Sequence, residues 1–226
     1  MTYDSLSQVL AHIRDSGWQA DCIALTGDLV QDDQPSSYEH FPDLLNEFDV
    51  PVLCVPGNHD NPADMRKKLS AAPFHYCGSL RFGDWQIVGL DSSLPDQAGG
   101  RVNSDEIARL KECIASEKAD HVVVCFHHPP VLTNSAWLDS VGLANAADVV
   151  EELTALPTVR AVLSGHVHQD IDVRLGALRV ISTPSTCSQF LTGADTFALD
   201  DRPPAYRRIT LNDSGELESE LVWIEV

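Results

Sequence analysis

The sequence predicts an α/β domain in which a mixed β-sheet system is covered by helices. Short apolar runs recur as buried strands: CIALT (22–26), VLCV (52–55), WQIVGLD (85–91), HVVVCF (121–126) and VRAVLSG (159–165). Stretches with apolar residues at helical spacing lie between them. The last portion reads differently. DIDVRL, LRVIST, YRRITL and ELVWIEV follow one another with short turns only, which argues against a purely parallel, doubly wound sheet.

Taken in order, Leu6, Val9, Leu10 and Ile13 form the apolar stripe of a first helix, and Gly17 is placed to stop it. CIALT then runs into Gly27-Asp28. A second helical stretch follows Pro35, with Tyr38, Phe41, Leu44, Leu45 and Phe48 on its apolar face and Pro42 as an interruption. VLCV ends at Pro56-Gly57, and further helices are predicted near 104–116 and 145–155. With no internal repeat and no low-complexity segment, 226 residues suit one domain spanning 1–226.

The formal net charge of -19, from 34 acidic and 15 basic side chains, disfavours a long nucleic acid as partner. It leaves room for a small anionic substrate, because bound cations reverse the local potential. Six cysteines without a CxxC pair read as free thiols of a reducing compartment. The opening MTYDSLSQ lacks the pattern of a signal peptide, and no apolar run approaches the roughly 20 residues that span a bilayer. The cytoplasm is therefore the expected location, with no membrane partner; the oligomeric state is open.

Four polar motifs share one placement. Gly27-Asp28 follows CIALT, Gly57-Asn58-His59-Asp60 follows VLCV, His127-His128-Pro129 follows VVVCF, and Gly165-His166-Val167-His168 follows AVLS. Each sits in the loop leaving the carboxyl end of a buried strand, where open α/β sheets bind ligands. Glycines before three of the motifs permit the tight turns that let polar side chains converge. Carboxylate, amide and imidazole donors suit Zn, Fe or Mn. Two such ions roughly 3.5–4 Å apart can clamp a phosphate and activate water at neutral pH.

At these residues the chain resembles the calcineurin-like metallophosphoesterases, whose pattern runs D-x-H, G-D, G-N-H-D, H-x-P and G-H-x-H. A GNHD tetrapeptide alone arises in roughly one chain in a thousand at average residue usage, so four ordered blocks are no coincidence. GDLVQDD (27–33), WLDS (137–140) and TPSTCSQF (183–190) are similar to the bacterial cyclic-AMP phosphodiesterases of that superfamily, and the similarity extends over most of the chain. The resemblance implies two mixed sheets packed as a sandwich with helices outside, and hydrolysis of 3′,5′-cyclic AMP to 5′-AMP with two divalent or trivalent transition metals. It also implies roles. Asp28 would bridge the metals; Asn58, His127 and His166 would complete the second site, and His168 the first. His59 would sit beside the phosphate and protonate the leaving 3′ oxygen, oriented by Asp60. Asn58, His59 and His168 would thus also meet substrate.

The first block, D-x-H, is absent: no aspartate has a histidine two positions later. The missing piece would be a first strand and its loop, on the order of 20–30 residues. The first metal would then keep only Asp28 and His168, against the three or four protein ligands usual for such ions. Either the natural polypeptide starts upstream of Met1, which the otherwise intact motifs favour, or the first-metal site has been lost.

Other residues have plainer readings. His128 stands between a supporting and a packing role. His12, His40, His75 and His121 read as surface or packing residues, and Trp137 as a loop pin or a neighbour of a nucleotide base. Two alternatives to the cyclic-nucleotide enzyme remain: a metallophosphoesterase of broader specificity, and a catalytically impaired metal- or nucleotide-binding protein.

Overall fold

Two β-sheets lie face to face, each with helices on its outer side. The computed structural model describes residues 2–31 and 34–225; Met1, Val226, and Asp32 and Asp33 at the end of GDLVQDD lie outside the described residues. One sheet is parallel, in the order β1 (Ile23–Leu25), β2 (Val52–Cys54), β3 (Phe74–Tyr76). The other contains β4 (Ser79–Phe82), β5 (Trp85–Gly89), β6 (His121–Cys125), β7 (Val159–Ser164), β8 (Ile171–Leu175) and β9 (Leu178–Ser182). Its order is β4-β5-β6-β7-β9-β8, with a parallel centre and antiparallel strands β4 and β8 at the edges. Two antiparallel pairs follow, β10 (Gln189–Phe190) with β11 (Leu199–Asp200) and β12 (Ala205–Leu211) with β13 (Leu217–Trp223).

Strand alternation shows why the sequence makes two covered sheets. On β2, Leu53 turns to the space between the sheets, where Ile87, Val123 and Cys125 also meet. Its neighbours Val52 and Cys54 turn outward to Leu10 of α1 (Thr2–Asp15), Phe41 and Leu45 of α2 (His40–Leu45) and Met65 of α3 (Pro62–Lys68). On β6, Val122 and Val124 face Ile107 and Leu110 of α4 (Ser104–Glu117). The helix α5 (Ala136–Asp139) is a single turn, and Val149 and Leu153 of α6 (Ala146–Thr154) join the same cluster as α4. Central strands buried on both faces read as continuous apolar runs, which is why they stood out in the sequence.

The stretch after Pro35 is less regular than a single helix. Turns of 3-10 helix at Pro35–Glu39 and Asn46–Phe48 flank α2, and Pro42 falls in its first turn, where no N–H donor is needed. The structure adds α3, capped by the Asn61 side chain with Pro62 at its start, and the short strands β3 and β4. All six cysteines are unpaired. Among the described residues no helix is long and apolar enough to cross a membrane. β1 pairs with β2 alone, so its other edge has no strand neighbour among the described residues, and Ala24 is exposed there.

Candidate metal centre

The four motifs leave the carboxyl ends of β1, β2, β6 and β7, and the two sheets bring those ends together. Asp28, His166 and His168 all have left-handed backbone, with φ of 54°, 64° and 49°. Such conformations are costly for residues with a Cβ and concentrate at functional sites. Gly57 is required by close approach: a Cβ there would lie 2.1 Å from Asp28 Oδ1. The same Oδ1 accepts the His59 backbone N–H at 2.9 Å, which ties the loop after β1 to the loop after β2.

Three imidazoles share one hydrogen-bonding pattern. His127 Nδ1 donates to Thr26 O (2.7 Å), His166 Nε2 to Val141 O (3.1 Å) and His168 Nδ1 to Ser188 O (2.7 Å). A carbonyl can only accept, so the proton in each ring must sit on that nitrogen. His127 Nε2 is left as an acceptor, yet it faces Asp28 Oδ2 and Asn58 Oδ1, each 3.2 Å away. His166 Nδ1 likewise faces Asn58 Oδ1 at 3.0 Å. On neutral rings these nitrogens turn lone pairs toward Asp28 and Asn58, an arrangement that a bound cation there, or a proton shared between His127 and Asp28, would satisfy. Carbonyl-anchored imidazoles around such a point are the arrangement that orients metal ligands.

The charges agree with this geometry. Burial alone would raise the Asp28 carboxyl, but His127 and the His59 N–H outweigh it and hold Asp28 well below the usual carboxylate range. Burial opposes a charge on His127, and the Asp28 carboxylate overcomes it and raises that imidazole. His166 and His168 are pushed down by burial, His168 to about 4, so both stay neutral and able to ligate near pH 7.

The structure thus joins Asp28, Asn58, His127 and His166 in direct contact. His168 stands slightly apart, its ring stacked on Phe190 at 4.1 Å and 2°, while the fields of Asp28, His127 and His59 all reach it. The His59 ring is exposed and is held by the Gln31 amide, whose Nε2 lies 3.2 Å from Nδ1. One nitrogen each of His127, His128 and His166 lie within 4.8 Å of one another. His128 nevertheless has both ring nitrogens engaged, by Ser92 Oγ and Ala98 O, and no lone pair to offer a metal.

Asp60 corrects an expectation. It does not orient His59: its carboxylate accepts from Leu29 N–H, Val30 N–H, Gly57 N–H and the Tyr38 hydroxyl. With those donors around it, Asp60 is a buried staple between the loops that carry Asp28 and Asn58. Trp137 packs edge-on against Phe190 and Phe197 and pins the loop around α5. His12, His40 and His75 are exposed, and His121 is buried against Trp85. The sequence reading missed Ser92, Gln31 and Phe190 as neighbours of the site. Of these, Gln31 lay in a quoted stretch, GDLVQDD, and Phe190 in another, TPSTCSQF, while Ser92 lay in none.

Face-to-face sheets with carboxylate, amide and imidazole donors converging at their strand ends define a fold and site built for a phosphoesterase metal centre. The chain belongs to the calcineurin-like phosphoesterases, whose family pattern matches residues 2–170. It is therefore a hydrolase of a family that uses a dinuclear metal centre, and the histidine cluster is compatible with such a centre. It is 34% identical to the 3′,5′-cyclic adenosine monophosphate phosphodiesterase CpdA of Haemophilus influenzae, over 99% of this chain and 82% of that protein. The CpdA proteins of Pseudomonas aeruginosa (35% identical, 96% of this chain and 80% of that one) and Escherichia coli K12 (33%, 97% and 80%) are similar to the same extent. Among solved structures, TT1561 of Thermus thermophilus superposes with a TM-score of 0.65 at 18% identity, covering 96% of this chain and 92% of that one. A dimetal phosphatase of Danio rerio gives 0.64 at 15% identity, covering 97% and 88%. At those identities the likeness is one of fold.

Proposed function

We propose that the chain is a phosphodiesterase that hydrolyses 3′,5′-cyclic AMP to 5′-AMP at a dinuclear metal centre. The observation that carries this reading is the pair of carbonyl-anchored imidazoles, His127 and His166, whose other ring nitrogens face Asp28 and Asn58. Full-length similarity to cyclic-AMP phosphodiesterases supports the choice of substrate.

In this reading Asn58, His127 and His166 would hold one metal, His168 would contribute to the other, and Asp28 would serve both. Bound there, Fe, Mn or Zn ions would supply Lewis acidity toward the phosphate and lower the pKa of water. The protein's own residues do the rest. Asn58, His59 and His168 line the phosphate, with Asp28 Oδ1 holding the His59 backbone in place. The exposed His59 ring, steadied by Gln31, gives a proton to the 3′ oxygen as its bond to phosphorus breaks and water oxygen bonds to phosphorus. Six unpaired thiols fit a reducing compartment, and we place the enzyme in the cytoplasm.

The test is direct. Purified protein supplemented with Mn²⁺ should convert cyclic AMP to 5′-AMP, followed by chromatography, with two metals bound per chain. Turnover of other phosphodiesters with cyclic AMP untouched would reduce the reading to the family level. A second reading is favoured by the ligand count: among the described residues, Asp28 and His168 are the ones assigned to the first metal. One bound metal and no turnover would identify an impaired metal- or nucleotide-binding protein.

A further inference from the structure

His128 is a buried histidine for which the proposed chemistry has no use, and it sits between two rings that the chemistry needs. It packs edge-on against His127, with centroids 4.8 Å apart at 88°, and lies tilted against His166 at 4.5 Å and 49°. Its Nε2 donates to Ala98 O at 3.2 Å, and the Ser92 hydroxyl donates to its Nδ1 at 2.9 Å. Its own backbone N–H reaches back to Ser92 Oγ at 3.3 Å. Gly100 covers the ring so closely that a Cβ there would lie 2.2 Å from Nδ1.

From this point the contacts continue into a second loop. Arg101 N–H donates to Ser92 O (2.8 Å), Gly100 N–H to Gly142 O (3.1 Å) and Ala144 N–H to Gly100 O (2.8 Å). Val141, in that second loop, supplies the carbonyl that takes the His166 Nε2 proton. His166 is therefore held from two sides, by the His128 ring and by a loop that the His128 anchor keeps in position.

We propose that His128 is a positioning residue for the metal centre: it fastens the 92–101 loop beneath the 141–144 loop and so fixes the rings of His127 and His166. The inference rests on the metal-centre reading above. Groups one step removed from a metal cost about 10–100-fold in affinity when lost.

The test is a calorimetric titration of Mn²⁺ into the metal-free full chain, with the melting temperature of the metal-free protein recorded alongside. Ser92→Ala should weaken Mn²⁺ about tenfold and His128→Ala about a hundredfold. His128→Gln, whose amide can still donate toward Ala98 O, should recover part of the loss. If His128→Ala does not fold, Ser92→Ala and His128→Gln decide. Unchanged Mn²⁺ affinity in both, with or without a lower melting temperature, would overturn the proposal and leave His128 as packing. Abolished binding in His128→Gln with wild-type binding in Ser92→Ala would also overturn it, by making His128 a ligand. A wild-type chain that takes up no Mn²⁺ refutes the metal-centre reading itself, before any variant is compared.

Discussion

Replacing Asp60 by asparagine separates a staple from a catalytic partner. In the structure Oδ1 accepts from Leu29, Val30 and Tyr38, and Oδ2 accepts the Gly57 N–H at 2.8 Å. The asparagine can keep its oxygen toward the first group, but its NH₂ then faces Gly57 N–H, donor against donor. Losing a charge-assisted bond and leaving a buried donor unpaired costs about 2–4 kcal/mol. A domain of this size loses about 2–4 °C in melting temperature per kcal/mol, so Asp60→Asn should melt about 4–16 °C lower. Tyr38→Phe removes one donor to Asp60 and one acceptor from Asn61 N–H, and should cost about 1–2 kcal/mol. The two losses should be less than additive, because the residues share one network. Calorimetric melts of the two single variants and the double variant measure all of this. A melting temperature within about 1 °C of wild type for Asp60→Asn, together with a displaced pH profile of turnover, would refute the staple and restore Asp60 as the partner of His59.

Three further outcomes follow from the same geometry. Asn58→Ala or His166→Ala should lose one metal per chain by elemental analysis and lower kcat/KM by at least about 100-fold, since each removes a direct donor rather than a neighbour of one; full metal content in either variant would contradict the assigned set. Phe190→Ala removes the ring stacked on His168, and a pair worth about 0.5–1.5 kcal/mol should cost about 2–10-fold in kcat/KM, read by steady-state kinetics. Burial holds His168 at about 4 and His128 at about 3 in the fold, both below the ordinary histidine value. Their contribution to stability is complete above pH 6.5 and is lost as pH falls through those values, because the unfolded chain takes up the protons first. The metal-free protein should therefore melt progressively lower from about pH 6.5 to 4, and a flat melting curve over that window would refute these depressed values.

The sequence was legible where residue type and period agree. The central strands β2, β5, β6 and β7 are buried on both faces, so VLCV, WQIVG, HVVVC and VRAVLS declare themselves without a partner being known. The strands β3 and β4 were missed because FHY and SLRF are short and mix polar with apolar side chains, so only pairing with β2 and β5 defines them. The candidate metal donors were legible because they stand in short motifs just past strand ends, with Asp28, Asn58 and His166 each directly after a glycine. Geometry was required wherever two similar groups lie side by side. Asp60 and Asp28 are both carboxylates after strands, yet one points at backbone amides and the other into the site. His127 and His128 are adjacent in the chain and equally buried. A free lone pair in the site distinguishes them: His127 spends one nitrogen on Thr26 O and keeps the other, while His128 spends both on Ser92 and Ala98. No spacing rule encodes that difference, because it is set by residues 101 positions earlier for His127 and 36 and 30 positions earlier for His128. Long-range contacts therefore decide which of two identical side chains can bind a cation, and the pair offers the sharpest check on the whole reading.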